Sequence, residues 1–486
     1  MKKRMKVLIL NPPFLPKFSR TSRSPAVSKG ATIYYPLWLA YATGVLEKEG
    51  FECKLIDAPA RGLSLKEVIR IAKKFKPEMT VIDTSTPSIY NDVKVLENIK
   101  ESLNCFCVLV GTHVSALPEE SIGLSKKIDV IARKEYDYTL KELAKALRDK
   151  KEWRKVKGIS YRKKNKVVHN RDTPFIEDLD ELPFVSSVYK KHLRIEDYFY
   201  AANLYPEITI ITGRGCPNRC TYCVLPQVMN GHNYRTRSVK NVVEEFKYIK
   251  ENFPQVKEVF IEDDTFTSDK LRVRDFCDEL VKEKSKVTWS CNSRADVDLI
   301  TLKKMREAGC RLLCVGFESG VQEILNNMKK GTKLEIIRRF MKDVKKAGIL
   351  VHGCFMLGNK GETKETIEET IEFAKELDPD TAQFFPIMVY PGTEAYGHFK
   401  EKGFLESEDF SKWLTEDGNH YCIVSTPILS NKELVELCDK GRMEFYLRPK
   451  YIGKKVIQSI TNPREIPRLV KSGKTFYKYL FKKVKK

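Results

Sequence analysis

The chain has 486 residues, 42% of them hydrophobic, with 87 Lys and Arg against 65 Asp and Glu for a formal net charge of +22. That length supports two or three domains with separate cores, and the apolar fraction argues against disorder. No apolar run approaches the ~20 residues that span a bilayer, and thirteen cysteines in a chain of this size do not make a disulfide scaffold.

Val7-Leu-Ile-Leu10 is too short for a signal-peptide core and runs into Asn11-Pro-Pro13, so it reads as a buried first strand of a cytoplasmic protein. Strands over 53–56, 80–83 and 106–110 then alternate with helices over 37–48, 65–75 and 93–103, the rhythm of a parallel α/β sheet. Residues 1–150 are thus expected to form a Rossmann-like domain, whose ligands bind at the carboxyl ends of the strands. Residues 151–200 read as a linker with a small hairpin around Arg162–Asn165. From 201 to 402 the βα rhythm resumes, with strands over 208–212, 258–262, 288–291, 312–317, 351–357 and 381–385. Six units suit a partial (β/α)6 barrel, which places the chemistry at the C-terminal strand ends. Residues 403–486 form a cap and a basic tail.

The first barrel strand leads into Gly213-Arg-Gly-Cys-Pro-Asn-Arg-Cys-Thr-Tyr-Cys223. Cys216, Cys220 and Cys223 are spaced C-x3-C-x2-C, and soft thiolates this close together chelate iron–sulfur clusters or zinc. Zinc asks for a fourth protein ligand, for which His232 is the nearest candidate. The aromatic Tyr222 before the last cysteine, the preceding glycines and the preceding strand favour the cluster. Other cysteines, such as Cys105, Cys107, Cys310 and Cys314, lie in apolar runs and read as small buried hydrophobes.

With these residues the sequence resembles the radical SAM superfamily along nearly its whole length. The stretch 223–238 is similar to that of hopanoid-associated and archaeal tetraether-lipid-modifying members, and Pro391-Gly-Thr393 also fits. The resemblance implies a [4Fe–4S] cluster whose open iron holds S-adenosylmethionine (SAM). It also implies a reducing partner of the ferredoxin or flavodoxin class. Implied SAM contacts are Glu262, Asp263 and Asp264 at the second strand end, Ser290, Asn292 and Arg294 at the third, and Glu318 at the fourth. The plainer reading of each is a cap or a surface ion pair. Gly358-Asn-Lys-Gly-Glu-Thr363 departs from the family, which has Leu-Pro before Gly-Glu-Thr.

The first domain resembles the cobalamin-binding domain of many such enzymes. Its lower-ligand motif is D-x-H-x-x-G; here Asp57-Ala-Pro-Ala-Arg-Gly62 keeps Asp57 and Gly62 but has Pro59 at the histidine position. Cobalamin would then bind without an imidazole from that position. Thr84, Ser85, Gly111 and His113 would line the pocket, with His113 a poor candidate for lower ligand.

From Leu447 to Lys486 there are thirteen Lys or Arg against one acid, interleaved with apolar residues from Ile452 to Val484. Basic amphipathic segments lie on anionic membrane surfaces, and no common RNA-binding module is present, which weighs against nucleic acid. The leading expectation is radical modification of a membrane lipid by ring or carbon–carbon bond formation, or by headgroup rearrangement, on a peripherally bound enzyme. The second is cobalamin-dependent C-methylation of a lipid or secondary metabolite. A third, of another class, is a non-catalytic cobalamin or iron–sulfur sensor.

Overall fold

The structure, a computed structural model, describes residues 4–461 apart from 22 and 29. Of the basic tail, residues 462–486 lie outside the described residues.

Seven strands form the first sheet: β1 (Lys6–Asn11), β2 (Glu52–Asp57), β3 (Met79–Thr84), β4 (Phe106–Gly111), β5 (Val130–Ala132), β6 (Ile159–Lys163) and β7 (Lys166–His169). Their order is β2-β1-β3-β4-β5-β6-β7. The first five are parallel, and near-continuous apolar runs such as Val7–Leu10 suit strands covered on both faces. Helices close these βα units by local chemistry: Ser64 and Glu67 form a reciprocal cap at the start of Leu65–Phe75. The hairpin expected in a linker instead extends this sheet, with Ile131 opposite Ser160 and Ala132 opposite Ile159. Chain order reverses between β1 and β3, and such switch points hold ligands in doubly wound sheets.

The second sheet has six parallel strands: β8 (Glu207–Ile210), β9 (Glu258–Ile261), β10 (Trp289–Ser293), β11 (Cys310–Glu318), β12 (Leu350–Leu357) and β13 (Thr381–Pro386), side by side in chain order. It is a partial barrel, as expected. The exposed backbone of β13 is satisfied from the helix Asn431–Tyr446. The Tyr446 hydroxyl bonds the nitrogen (3.0 Å) and oxygen (2.7 Å) of Ala382, and Arg442 Nη1 donates to the Phe384 carbonyl. Such capping blunts an edge that would otherwise recruit another strand.

The carboxyl ends of the two sheets face each other. Arg214, after β8, donates to Asp137 at 2.7 Å, and both side chains are buried. Arg235 grips Glu135 with two nitrogens at 2.9 and 2.5 Å and also donates to the Ile176 carbonyl. Removing one partner of a buried pair strands the other charge. Arg235→Ala is therefore expected to cost about 3–5 kcal/mol in urea unfolding; a loss under about 1 kcal/mol would place this pair among ordinary surface contacts.

Candidate active site at the facing strand ends

The cysteine loop is held open by its own neighbours. The Gln227 side-chain nitrogen donates to the carbonyls of Cys220, Thr221 and Cys223 at 3.0–3.1 Å. The Thr221 amide bonds the Met328 carbonyl at 3.0 Å, and Asn218 Nδ2 lies 3.3 Å from Cys216 Sγ. His232 Nδ1 donates to the carbonyls of Cys216 and Asn218, both at 3.1 Å, so this ring ties the loop. Among the described residues, no three His, Cys, Asp or Glu side chains converge on a single metal ion. Cluster thiolates each take a separate iron and need no such convergence, and three partly exposed thiols on one short loop fit a [4Fe–4S] cluster. Burial pushes the Cys223 thiol up to about 12, so iron must displace its proton.

The acidic trio after β9 divides its work. Asp263 is spent inside: it accepts from the Thr212 amide and hydroxyl, both at 2.6 Å, and from the Tyr234 hydroxyl at 2.8 Å. Asp264 clamps the cysteine loop, accepting from the Gly215 amide at 3.1 Å and Asn230 at 2.9 Å. Glu262 has the most accessible side chain of the three. Burial raises it to about 7, while Arg23 and Asn292 pull it back. Arg23 stands 3.3 Å from Glu262 and 3.2 Å from Asp264 and donates to the Asp263 carbonyl at 3.0 Å. It comes from the segment after β1, so the first domain reaches directly into the second domain's site. Sequence reasoning missed it, because the polar run Ser19-Arg-Thr-Ser-Arg23 carries no spacing signal.

At the third strand end the side chains are engaged within the protein. Ser290 is fully buried and donates to Asn203 at 3.0 Å. Arg294 donates to the carbonyls of Lys330 (2.8 Å) and Gly331 (3.1 Å), tying a loop rather than offering a fork to the SAM carboxylate. Asn292 reaches the Asp263 carbonyl at 3.2 Å and neighbours Glu262.

A second cation beside the cysteine loop is Lys330. Its ammonium donates to Glu318 at 2.7 Å and lies 3.2 Å from the Tyr222 hydroxyl, which itself donates to Glu318 at 2.9 Å. Burial lowers the Lys330 pKa, but Glu318 and Cys220 outweigh it and the net direction is up, so it stays charged. Glu318 sits at φ 66, a left-handed conformation that costs a non-glycine residue about 1 kcal/mol or more. Gly316 makes room for the pair: a Cβ there would collide with the Glu318 carboxylate and stand 2.9 Å from the Lys330 nitrogen. An ammonium beside a phenol and a carboxylate can hold the carboxylate and hydroxyls of a nucleoside–amino acid ligand such as SAM.

At the first sheet's edge, the residues expected to line a pocket are internally satisfied and buried. Thr84 donates to the Val110 carbonyl at 2.7 Å, and Ser85 bonds Ser88 at 2.7 Å. Gly111, at φ 114, packs against Thr84 and Asp83. His113 is 1% exposed, bonds Thr86 at 3.2 Å and meets the Phe410 ring edge-on at 4.8 Å. Burial lowers it to about 3, so it stays neutral. Asp57 caps the short helix Ala58–Arg61 through the Ala60 amide at 3.3 Å, Pro59 lies buried inside that helix, and Gly62 ends it at φ 63. The D-x-P-x-x-G run is thus a helix with its cap and stop. The switch point is filled by Arg20, which pairs with Asp92 at 2.7 Å and bonds Asn11, Ser88 and the Pro12 carbonyl.

The two edges meet at Gly392, where a Cβ would lie 2.7 Å from Val228 and 2.9 Å from Ala116, side chains of the two domains. Residues 404–424 pack across this seam. Phe410 and Trp413 are buried against the first domain and Tyr390, the Gly418 carbonyl accepts from the Val27 amide at 2.8 Å, and His420 bonds Ser24 at 2.8 Å.

Residues 210–374 match the radical SAM superfamily and residues 23–144 match the B12 binding domain. An uncharacterized methyltransferase of Pyrococcus horikoshii is 31% identical over 93% of this chain and 95% of its own. An anaerobic magnesium-protoporphyrin IX monomethyl ester cyclase of Rubrivivax gelatinosus is 29% identical over 78% of this chain and 68% of its own. The fold is similar to that of the radical SAM methyltransferase TsrM from Kitasatospora setae, with TM-score 0.70, 18% identity and coverage of 90% and 89% of the two chains. The chain belongs to the radical SAM superfamily. Within it, the chain falls in the branch that carries an N-terminal B12 binding domain, and its cofactors are a [4Fe–4S] cluster, SAM and cobalamin.

The donor sets fit the cluster and SAM. They fit cobalamin only without a histidine below cobalt, because Pro59 offers no nitrogen and His113 is turned into protein. The hydroxyl of Tyr136, near Asp83, is buried at this edge without a partner among the described residues and is available to a ligand. With 15N-histidine-labelled protein, the electron paramagnetic resonance of bound cob(II)alamin should show no histidine splitting, and His113→Ala should leave it unchanged. A splitting that disappears in His113→Ala contradicts this arrangement.

Proposed function

We propose that the protein is a cobalamin-dependent radical SAM methyltransferase acting on an unactivated carbon of a lipid or secondary metabolite. The relative named a methyltransferase, aligned over almost its whole length, carries this reading. It favours methyl transfer over ring formation on a lipid, and the facing edges support it, since a methyl carrier must stand close to the carbon from which hydrogen is taken. When bound, the cluster supplies the electron that splits SAM and cobalamin supplies the methyl carrier. Glu262 holds the SAM ammonium, while Lys330, Glu318 and Tyr222 hold its oxygen-bearing end. Asp264 fixes the cysteine loop, and Phe410 with Trp413 keeps water from the seam. Each turnover uses two SAM molecules: one leaves as S-adenosylhomocysteine, the other as methionine and 5′-deoxyadenosine. The electrons come from a ferredoxin- or flavodoxin-class donor.

The test incubates the reduced protein with methyl-labelled SAM and fractionated cell extract. Label in a carbon-bound methyl group, together with equal S-adenosylhomocysteine and 5′-deoxyadenosine, is expected. Label-free product with 5′-deoxyadenosine alone would support ring formation, and neither nucleoside product would support a sensor.

A further inference from the structure

The helix Pro449–Thr461 is attached to the barrel through Tyr451 and Lys454. Tyr451 is buried, its hydroxyl donating to the Asp380 carbonyl at 3.0 Å and its ring packing on Phe445 and Tyr446 at 5.3 and 5.1 Å. Lys454 pairs with Asp380 at 3.4 Å on the same side. At about 100° per residue, Ile452, Val456, Ile460 and Ile457 fall within an arc of about 140° on the opposite side. They are 50%, 55%, 74% and 63% exposed. Lys450, 78% exposed, lies at one border of this arc and Lys455 beyond the other. Met443 and Leu447, just before this helix, are exposed as well. Four large apolar side chains exposed on one helix face and bordered by lysines mark an interface.

Charge selects the occupant. Residues 462–486, which follow directly, carry nine Lys or Arg against one acid, so folding them over the arc would set cation against cation at Lys450 and Lys455. A second copy laid helix against helix meets the same repulsion. An anionic lipid surface accepts both the apolar arc and its lysine borders, and the adjoining basic residues add to the attraction. No described helix is long and apolar enough to cross a membrane, so the contact is a surface one. We propose that the helix Pro449–Thr461 lies flat on anionic bilayers and holds the enzyme there through Ile452, Val456, Ile457 and Ile460. This contact is separate from the chemistry at the facing strand ends.

The full-length protein would be sedimented with vesicles of phosphatidylcholine alone or mixed with phosphatidylglycerol, over a range of salt concentrations. Binding is expected only to the phosphatidylglycerol vesicles, weakening as salt rises. The double variant Val456→Glu, Ile460→Glu should lower vesicle affinity by about tenfold or more, while its circular dichroism and 5′-deoxyadenosine formation stay unchanged. Three results overturn the proposal. One is a double variant that binds vesicles like the parent, which would assign attachment to residues 462–486. The second is equal binding to both vesicle types. The third is a concentration-dependent dimer without lipid that the double variant abolishes.

Discussion

Cys220→Ala is expected to abolish reductive cleavage of SAM. Three thiolates must each hold one iron so that the fourth stays open, and no neighbouring side chain is placed to replace the lost one. His232 is engaged with the carbonyls of Cys216 and Asn218, and the remaining described cysteines lie in other segments of the chain. The loop itself should survive, because Gln227 and Met328 hold its backbone rather than its sulfurs. The variant should therefore keep the parent's circular dichroism while losing cluster absorbance and 5′-deoxyadenosine. Turnover at even a few per cent of the parent level would contradict the assignment of these three ligands.

The second large effect is at Glu262. Loss of a charged hydrogen bond to the SAM ammonium in Glu262→Gln should weaken SAM binding by about 2–3 kcal/mol, roughly 30- to 150-fold. Because burial holds Glu262 at about 7, below that pH the incoming ammonium must displace a proton. Parent affinity should accordingly fall as pH drops, by about tenfold per unit below 7, whereas Glu262→Gln should be flat. Arg23 lowers the Glu262 pKa, so Arg23→Gln should move the break above 7. A parent whose SAM affinity is constant from pH 5.5 to 8 would remove Glu262 from this role.

The parallel strands were legible because alternating short apolar runs and amphipathic stretches are local signals. Strand β5 was not, since Val130–Ala132 is too short to show a pattern. The hairpin was visible as a hairpin, but its pairing to β5 depends on residues far apart in sequence. Similarly, the C-x3-C-x2-C spacing is local and identified the cluster loop. The roles of the acidic and basic residues depend on partners contributed by other segments. Asp263 and Asp264 are neighbours in sequence, yet one is consumed by Thr212 and Tyr234 while the other clamps Gly215 and Asn230. Lys330 carried no signal in the sequence for the same reason. Only the fold shows that Arg294 is occupied by backbone and that the lysine stands beside Glu318 and Tyr222. The preceding Gly316 and the sharp Glu318-Ser-Gly320 turn were the available hints of that crowded corner.

The most direct test is electron paramagnetic resonance of the anaerobically reconstituted, reduced protein before and after SAM is added. About four irons per chain and a reduced-cluster signal that shifts when SAM binds are the expected result, because the ligand then sits on the open iron. A signal indifferent to saturating SAM, or one zinc per chain in place of iron, would contradict it.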